Sequence, residues 1–161
     1  MNFADTNWLV SAYVEPHADD AEAVRRRGIV NRFMRRHGGQ LVISHVVLLE
    51  ARNIFSRVTE EREPREWQML EADFDGRLYV DPMNWDLLRQ ECNHLFSRYA
   101  WKAAVGTFDT AIVASLKLAG GTRFLSFDAT AKAMAASEGI EVYPALEAAE
   151  KQFFTRLKHK R

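Results

Sequence analysis

Gln40-Leu41-Val42-Ile43-Ser44-His45-Val46-Val47-Leu48-Leu49-Glu50-Ala51-Arg52-Asn53-Ile54-Phe55 joins two hydrophobic patterns end to end. Gln40–Ser44, with β-branched Val42 and Ile43, follows the Gly38-Gly39 break and reads as a short strand. From about Val46 to Glu60, apolar Leu48, Leu49, Phe55 and Val58 accompany a helical pattern, so a helix follows with almost no loop. A strand running straight into a helix is the repeating unit of an α/β domain.

The same alternation extends in both directions. Upstream, Asn2–Asp5 reads as a very short first strand and Thr6 opens a helix through about Val14, with Trp8, Leu9, Ala12 and Tyr13 as its apolar stripe. Asp19–His37 is a long helix ended by Gly38-Gly39. Downstream, Pro64 opens a helix to about Asp75, Leu78–Val80 is a third strand, and Asn84–Tyr99 is a helix with Leu87, Leu88, Cys92, Leu95 and Phe96 on one face. Helical Phe108–Ala119 ends at Gly120-Gly121, and Arg123–Ser126 is a fourth strand. A helix over Ala129–Glu138, a fifth strand over Glu141–Tyr143 and a terminal helix from Ala145 complete the chain. The order predicts an α/β domain with a mainly parallel sheet of about five strands and helices on both faces.

The 161 residues suit one domain over 1–161, with a basic tail from about Arg156. Hydrophobic residues are 47% and charged residues 27%, a globular composition. No run nears the roughly 18 apolar residues of a membrane span. Met1-Asn2-Phe3-Ala4-Asp5 lacks a signal-peptide layout, and Cys92 is the sole cysteine. These features set an expectation of a cytoplasmic protein. Lys+Arg and Asp+Glu number 22 each, so bulk charge points to no polyanionic partner. Arg25-Arg26-Arg27 with Arg32, Arg35 and Arg36, and Arg156–Arg161, are local basic runs that fit either phosphate tracking or solvated faces.

Four acids stand out. Open parallel sheets bind ligands beyond the carboxyl ends of their strands. Asp5 closes the first strand, and Asp128 closes Phe124-Leu125-Ser126-Phe127-Asp128. Asp109 lies in the first turn of an apolar helix, and Glu50 interrupts an apolar segment. Each has another use: Asp5 and Asp128 as helix caps, Asp109 as a dipole partner, Glu50 facing solvent or pairing with Arg52 or Arg57. Their joint placement at strand exits and helix starts matches a cation site. Mg²⁺ and Mn²⁺ take hard oxygen ligands, and converging carboxylates repel one another without compensating charge. The chemistry served by such a cluster is metal-assisted phosphodiester hydrolysis. His17, His37, His45, His94 and His159 show no zinc-like spacing and are read as structural or surface residues.

These stretches resemble, over almost the whole chain, the PIN-domain family, and most closely its VapC-type ribonuclease toxins of toxin–antitoxin pairs. Phe3-Ala4-Asp5-Thr6-Asn7 resembles the first motif, and Ser44 through Glu50 the second. Gly106-Thr107-Phe108-Asp109-Thr110-Ala111 resembles the third, Phe124–Asp128 the fourth, and Gly139-Ile140-Glu141-Val142 the strand after it. The resemblance implies a PIN-like three-layer α/β/α domain. It implies Asp5, Glu50 and Asp109 as principal ligands of Mg²⁺ or Mn²⁺, Asp128 as an auxiliary acid, and Thr6 and Ser126 as hydroxyl neighbours orienting carboxylates or water. It also implies hydrolysis of RNA to a 5′-phosphate and a 3′-hydroxyl, a homodimer, and an inhibitory antitoxin.

The chain departs from this pattern where relatives often carry Arg at Gly106, His near Ile112, and His at Tyr99. The departures bear on substrate positioning, for which Arg25, Arg26, Arg27 and Lys102 are the candidate RNA contacts. Trp101 is read as core, with base stacking as the alternative. Competing readings are a PIN nuclease in RNA processing or acting on DNA, and a catalytically weakened RNA- or partner-binding module. An Asp-nucleophile phosphatase would want a second acid where Asn7 stands.

Overall fold

The structure, a computed structural model, describes residues 1–159, with the His159 side chain outside the description. Lys160 and Arg161 of the basic C-terminal run lie outside the described residues. The element order is β1 (Asn2–Ala4), α1 (Thr6–Tyr13), α2 (Ala21–His37), β2 (Leu41–Ser44), α3 (His45–Thr59), α4 (Arg65–Ala72), β3 (Leu78–Asp81), α5 (Trp85–Tyr99), α6 (Thr107–Leu118), β4 (Arg123–Leu125), α7 (Ala129–Ser137), β5 (Glu141–Tyr143) and α8 (Ala148–His159).

The five strands form one parallel sheet in the order β3-β2-β1-β4-β5. Phe3 pairs with Val42 on one side and Phe124 on the other, so β1 is central and its Phe3 and Ala4 are wholly buried. Short strands of almost continuous apolar residues are what a sheet covered on both faces requires. The chain fills the sheet outward from β1 through β2 to β3, then crosses back to place β4 on the other side of β1. That reversal opens a crevice beyond the carboxyl ends of β1 and β4.

Helices α1, α2, α3 and α4 pack among themselves, and α5, α6, α7 and α8 form a second packed series. Helix α6 is deeply enclosed, with Thr110 and Ile112 through Leu116 buried. It stops at Gly120, whose φ of +72° suits a residue without Cβ. A Cβ on Gly121 would meet Leu116 Cδ1 at 2.3 Å, so this glycine permits the close return of the chain. Trp8, Phe33, Phe127 and Tyr143 form an aromatic cluster beside β1. Trp8 and Leu9 are core, and Tyr13 donates to Asp73.

Arg156, Leu157 and Lys158 are helical, with Leu157 fully buried, so the described part of the expected basic tail is the docked end of α8. Trp101 corrects its sequence reading. It is 60% exposed because α5 has ended at Tyr99, leaving no helix face to insert it. No helix among the described residues is long and apolar enough to cross a membrane.

Candidate functional site

Asp5 sits where β1 passes into α1. Its backbone N–H still bonds the Leu125 carbonyl of β4 (3.0 Å), which pins it to the centre of the sheet. Its side chain N-caps α1, with Oδ1 accepting from the Thr6 N–H at 2.7 Å. Oδ2 accepts from Ser126 Oγ at 2.6 Å and from Asn7 Nδ2 at 3.2 Å. Ser126 Oγ accepts the Asp128 N–H (3.0 Å), and Asn7 Oδ1 accepts the Phe127 N–H (2.9 Å). The turn after β4 is thereby stitched onto the carboxylate at the end of β1. Asn7 is a site residue absent from the inferred set. The Asp5-Thr6-Asn7 order was its signal, but an amide two residues into a helix has no assigned partner until β4 is placed beside β1.

Thr6 orients Asp5 through its backbone N–H, and the Thr6 hydroxyl is buried with no hydrogen-bond partner among the described residues. Ser126 donates its hydroxyl to Asp5.

The other acids approach from three elements. Asp128 caps α7, its Oδ1 accepting from the Ala131 N–H at 2.7 Å. Glu50 lies on α3, half-buried. Arg52 is not its partner: Arg52 donates to Ser56 Oγ and the Arg62 carbonyl and pairs with Glu63. Asp109, half-buried, is in the first turn of α6. A Cβ on Gly106 would lie 2.9 Å from Asp109 Oδ2, so the absence of a side chain at 106 lets this carboxylate fold back over its own helix start. Helices α3 and α6 are tied where they matter: Ser44 caps α3 through Oγ to the Val47 N–H (3.3 Å) and accepts from Ser115 Oγ of α6 (2.9 Å).

Electrostatics shows that the acids share one neighbourhood. Burial pushes the Asp5 carboxyl up to about 7, against the lowering effect of its Ser126 and Thr6 hydrogen bonds, and the charges of Glu50 and Asp128 raise it further. Burial, then Asp128 and Glu50, raise Asp109 to about 6. The cluster is open nonetheless. Among the described residues no group of three or more His, Cys, Asp or Glu side chains is placed to hold a metal ion directly. The donor set still fits a hard divalent cation, which binds through one or two carboxylates and keeps waters and substrate oxygens in its remaining positions. The buried, unpartnered Thr6 hydroxyl beside Asp5 adds a further oxygen donor.

The inferred RNA contacts are not brought together. Arg25 pairs with Glu22 and reaches Glu147. Arg27 donates to the Ser11 and Ala12 carbonyls, closing the end of α1. Arg26 lies over the Phe127 ring, 5.2 Å from its centroid, and Phe127 adjoins Asp128 in the chain. Lys102 donates to the Leu157 carbonyl (2.9 Å), an anchor for α8. Arg35, with Arg77, lines a separate hollow before β2 and β3, at the amino ends of the strands. Tyr99 is buried, with its hydroxyl on Glu138, and Ile112 is core.

No family model matches the chain. No curated protein matches its sequence. Solved structures do match in fold. The crystal structure of Mycobacterium tuberculosis VapC20, described as a sarcin-ricin loop cleaving toxin, superposes with a TM-score of 0.63 at 19% identity, covering 83% of this chain and 94% of that one. FitAcB from Neisseria gonorrhoeae superposes with a TM-score of 0.56 at 14% identity, covering 89% of this chain and 96% of that one. At such identities the likeness is one of fold: the chain has a PIN-like α/β architecture similar to that of a VapC-type toxin.

Proposed function

We propose that this protein is a Mg²⁺- or Mn²⁺-dependent endoribonuclease that serves as the toxin of a toxin–antitoxin pair. The observation that carries the reading is Asp5. A fully buried carboxylate is held at the sheet's reversal point by Thr6, Asn7 and Ser126, with three further acids acting on one another around it. Burying a carboxyl among other acids is costly unless charge compensation is part of its use. VapC20, similar in fold, is described as cleaving the sarcin-ricin loop, which supports RNA as the substrate class. An antitoxin partner and a homodimer belong to this reading as what the resemblance to VapC-type toxins implies, and action in the cytoplasm as what the composition leads one to expect.

Asp5, Glu50 and Asp109 would hold the cation, directly or through its waters, with Asp128 in support. When bound, the ion would make a water a better nucleophile and offset the charge of the phosphate. The chain's own residues set the geometry. Thr6, Asn7 and Ser126 fix both oxygens of Asp5, and the α7 cap holds one oxygen of Asp128 and leaves the other for the site. The Ser44–Ser115 bond keeps the helices of Glu50 and Asp109 in register. Because Asp5 and Asp109 titrate near 7 and 6, cation binding at lower pH displaces protons from the same groups.

Purified protein incubated with single-stranded RNA and Mn²⁺ tests the reading. Wild type cleaves, whereas Asp5→Asn and Asp109→Asn retain the wild-type circular dichroism and lose cleavage by at least about a hundredfold. Undiminished cleavage by both variants overturns the mechanism. Binding of RNA without cleavage by wild type favours a binding module instead.

A further inference from the structure

We propose that Arg26 is the phosphate-binding cation of this site, and that Phe127 is the platform that aims it. The inference rests on RNA being the ligand. The acid cluster poses a problem for any phosphodiester: four carboxylates repel the strand that must lie beside them. The charges that perturb Asp109 are those of Asp128 and Glu50, both negative. A side-chain cation is needed at the rim, outside the carboxylates but within reach of the adjoining phosphate.

Of the three consecutive arginines, helix geometry leaves one against the turn that leads into Asp128. Successive residues on α2 are about 100° apart around the axis, so Arg25, Arg26 and Arg27 diverge. Arg25 turns toward Glu147 of the α8 approach, and Arg27 closes α1. Arg26 stacks on Phe127, which itself stacks on Trp8 at 5.4 Å and 15°. Phe127 stands between Ser126 and Asp128, and its N–H is held by Asn7. The guanidinium is therefore referenced to the groups that fix Asp5.

Arg26 also lines a groove of about 530 Å³ that opens at Asn7. The other charged groups there include Glu15, Asp20, Glu22, Glu61 and Glu66, and among the described residues Arg26 is the one Arg or Lys on its wall. A phosphate entering here has Arg26 as its cationic partner and is repelled by the carboxylates beyond it. Glu22 accepts from Arg26 Nε at 3.0 Å but also from Arg25. Glu22 is thus shared between two guanidiniums, and a solvated pair of this kind yields to a phosphate. A planar fork stacked on an aromatic face presents its remaining N–H groups to two phosphate oxygens at once.

The test is anisotropy of a short labelled single-stranded RNA across a salt series, alongside cleavage kinetics in Mn²⁺. Arg26→Ala weakens binding about tenfold, raises KM by a similar factor with a much smaller change in kcat, and reduces the salt slope by about 0.7. Arg26→Lys restores the slope but only part of the affinity. Arg89→Ala, which removes an equal charge from exposed α5, changes neither. An Arg26→Ala variant with wild-type affinity, KM and salt slope overturns the inference. RNA binding that depends on Arg26 without cleavage overturns the nuclease reading and leaves this one standing. Absence of RNA binding overturns both.

Discussion

Asp5 concentrates the tension between folding and function in one carboxyl. Its folded value near 7 lies above the ordinary 3.8. The native state therefore keeps a proton that the unfolded chain has released between those two values. The sign follows: this contribution to stability is fully present below pH 3.8 and is lost as pH rises through about 7. In metal-free protein, denaturant titrations from pH 4 to 7 should show stability falling by an amount on the order of a few kcal/mol that Asp5→Asn removes. The variant should be the more stable protein at pH 7 and the inactive one. Gly106 is the second residue of consequence. A methyl group there must displace the Asp109 carboxylate by a few tenths of an ångström. Gly106→Ala should cost roughly tenfold in kcat with little change in thermal midpoint, checked by kinetics and melting.

At the scale of elements, the site depends on how α5, α6 and α7 are locked. Glu138, at the end of α7, accepts from Arg98 and Tyr99 of α5 and from Lys117 of α6, and Lys117 also pairs with Glu91 of α5. Burial opposes ionisation of Glu138, yet hydrogen bonds from Arg98, Lys117 and Tyr99 hold its carboxyl down to about 2. Its contribution is present above about 4.5 and is lost as pH falls toward 2. Glu138→Ala should lower stability by about 1–2 kcal/mol, because it leaves the buried Tyr99 hydroxyl without its acceptor and takes from Lys117 one of its two carboxylates. The same variant should flatten the acid limb of the stability curve, measured by denaturation between pH 5 and 2. Asp109 rides on α6, so loss of cleavage should follow loosening of this helix.

For the whole molecule, the open acid cluster predicts strong coupling between cation binding and folding. At Mg²⁺ or Mn²⁺ about a hundredfold above Kd, the native state should gain about 2.7 kcal/mol, a rise of roughly 5–10 °C in Tm. Chelator reverses the shift, and Asp5→Asn abolishes it. Scanning calorimetry with and without the cation reads both. A Tm indifferent to divalent cations in wild type would contradict the proposed use of the cluster. The last helix is secured by its own contacts: Lys132, 1% exposed, pairs with Glu150, and Leu157 is buried, so α8 is docked through groups other than the four acids.

Local chemistry wrote the elements into the sequence. β-branched and apolar runs, glycine breaks and capping residues depend on near neighbours, so the thirteen elements among the described residues fall where the pattern puts them, with differences of one to three residues at their ends. Ser126, read as the last residue of a strand, lies just beyond β4 and turns its hydroxyl to Asp5. The acids too were legible, because each lies at a strand exit or on a recognisable helix. What the sequence could not contain was which of them act on one another. That follows from the strand order, which sets residues 5 and 126 side by side although 121 positions separate them. The same holds for the basic run. As a string it is one patch, but winding it into α2 sends Arg25 and Arg27 to structural partners, leaves Arg35 at the opposite end of the sheet, and places Arg26 on Phe127. Sequence determined the elements and the acidic inventory through short-range preferences. Tertiary structure decided the constellation, because only packing sets distances between residues far apart in the chain.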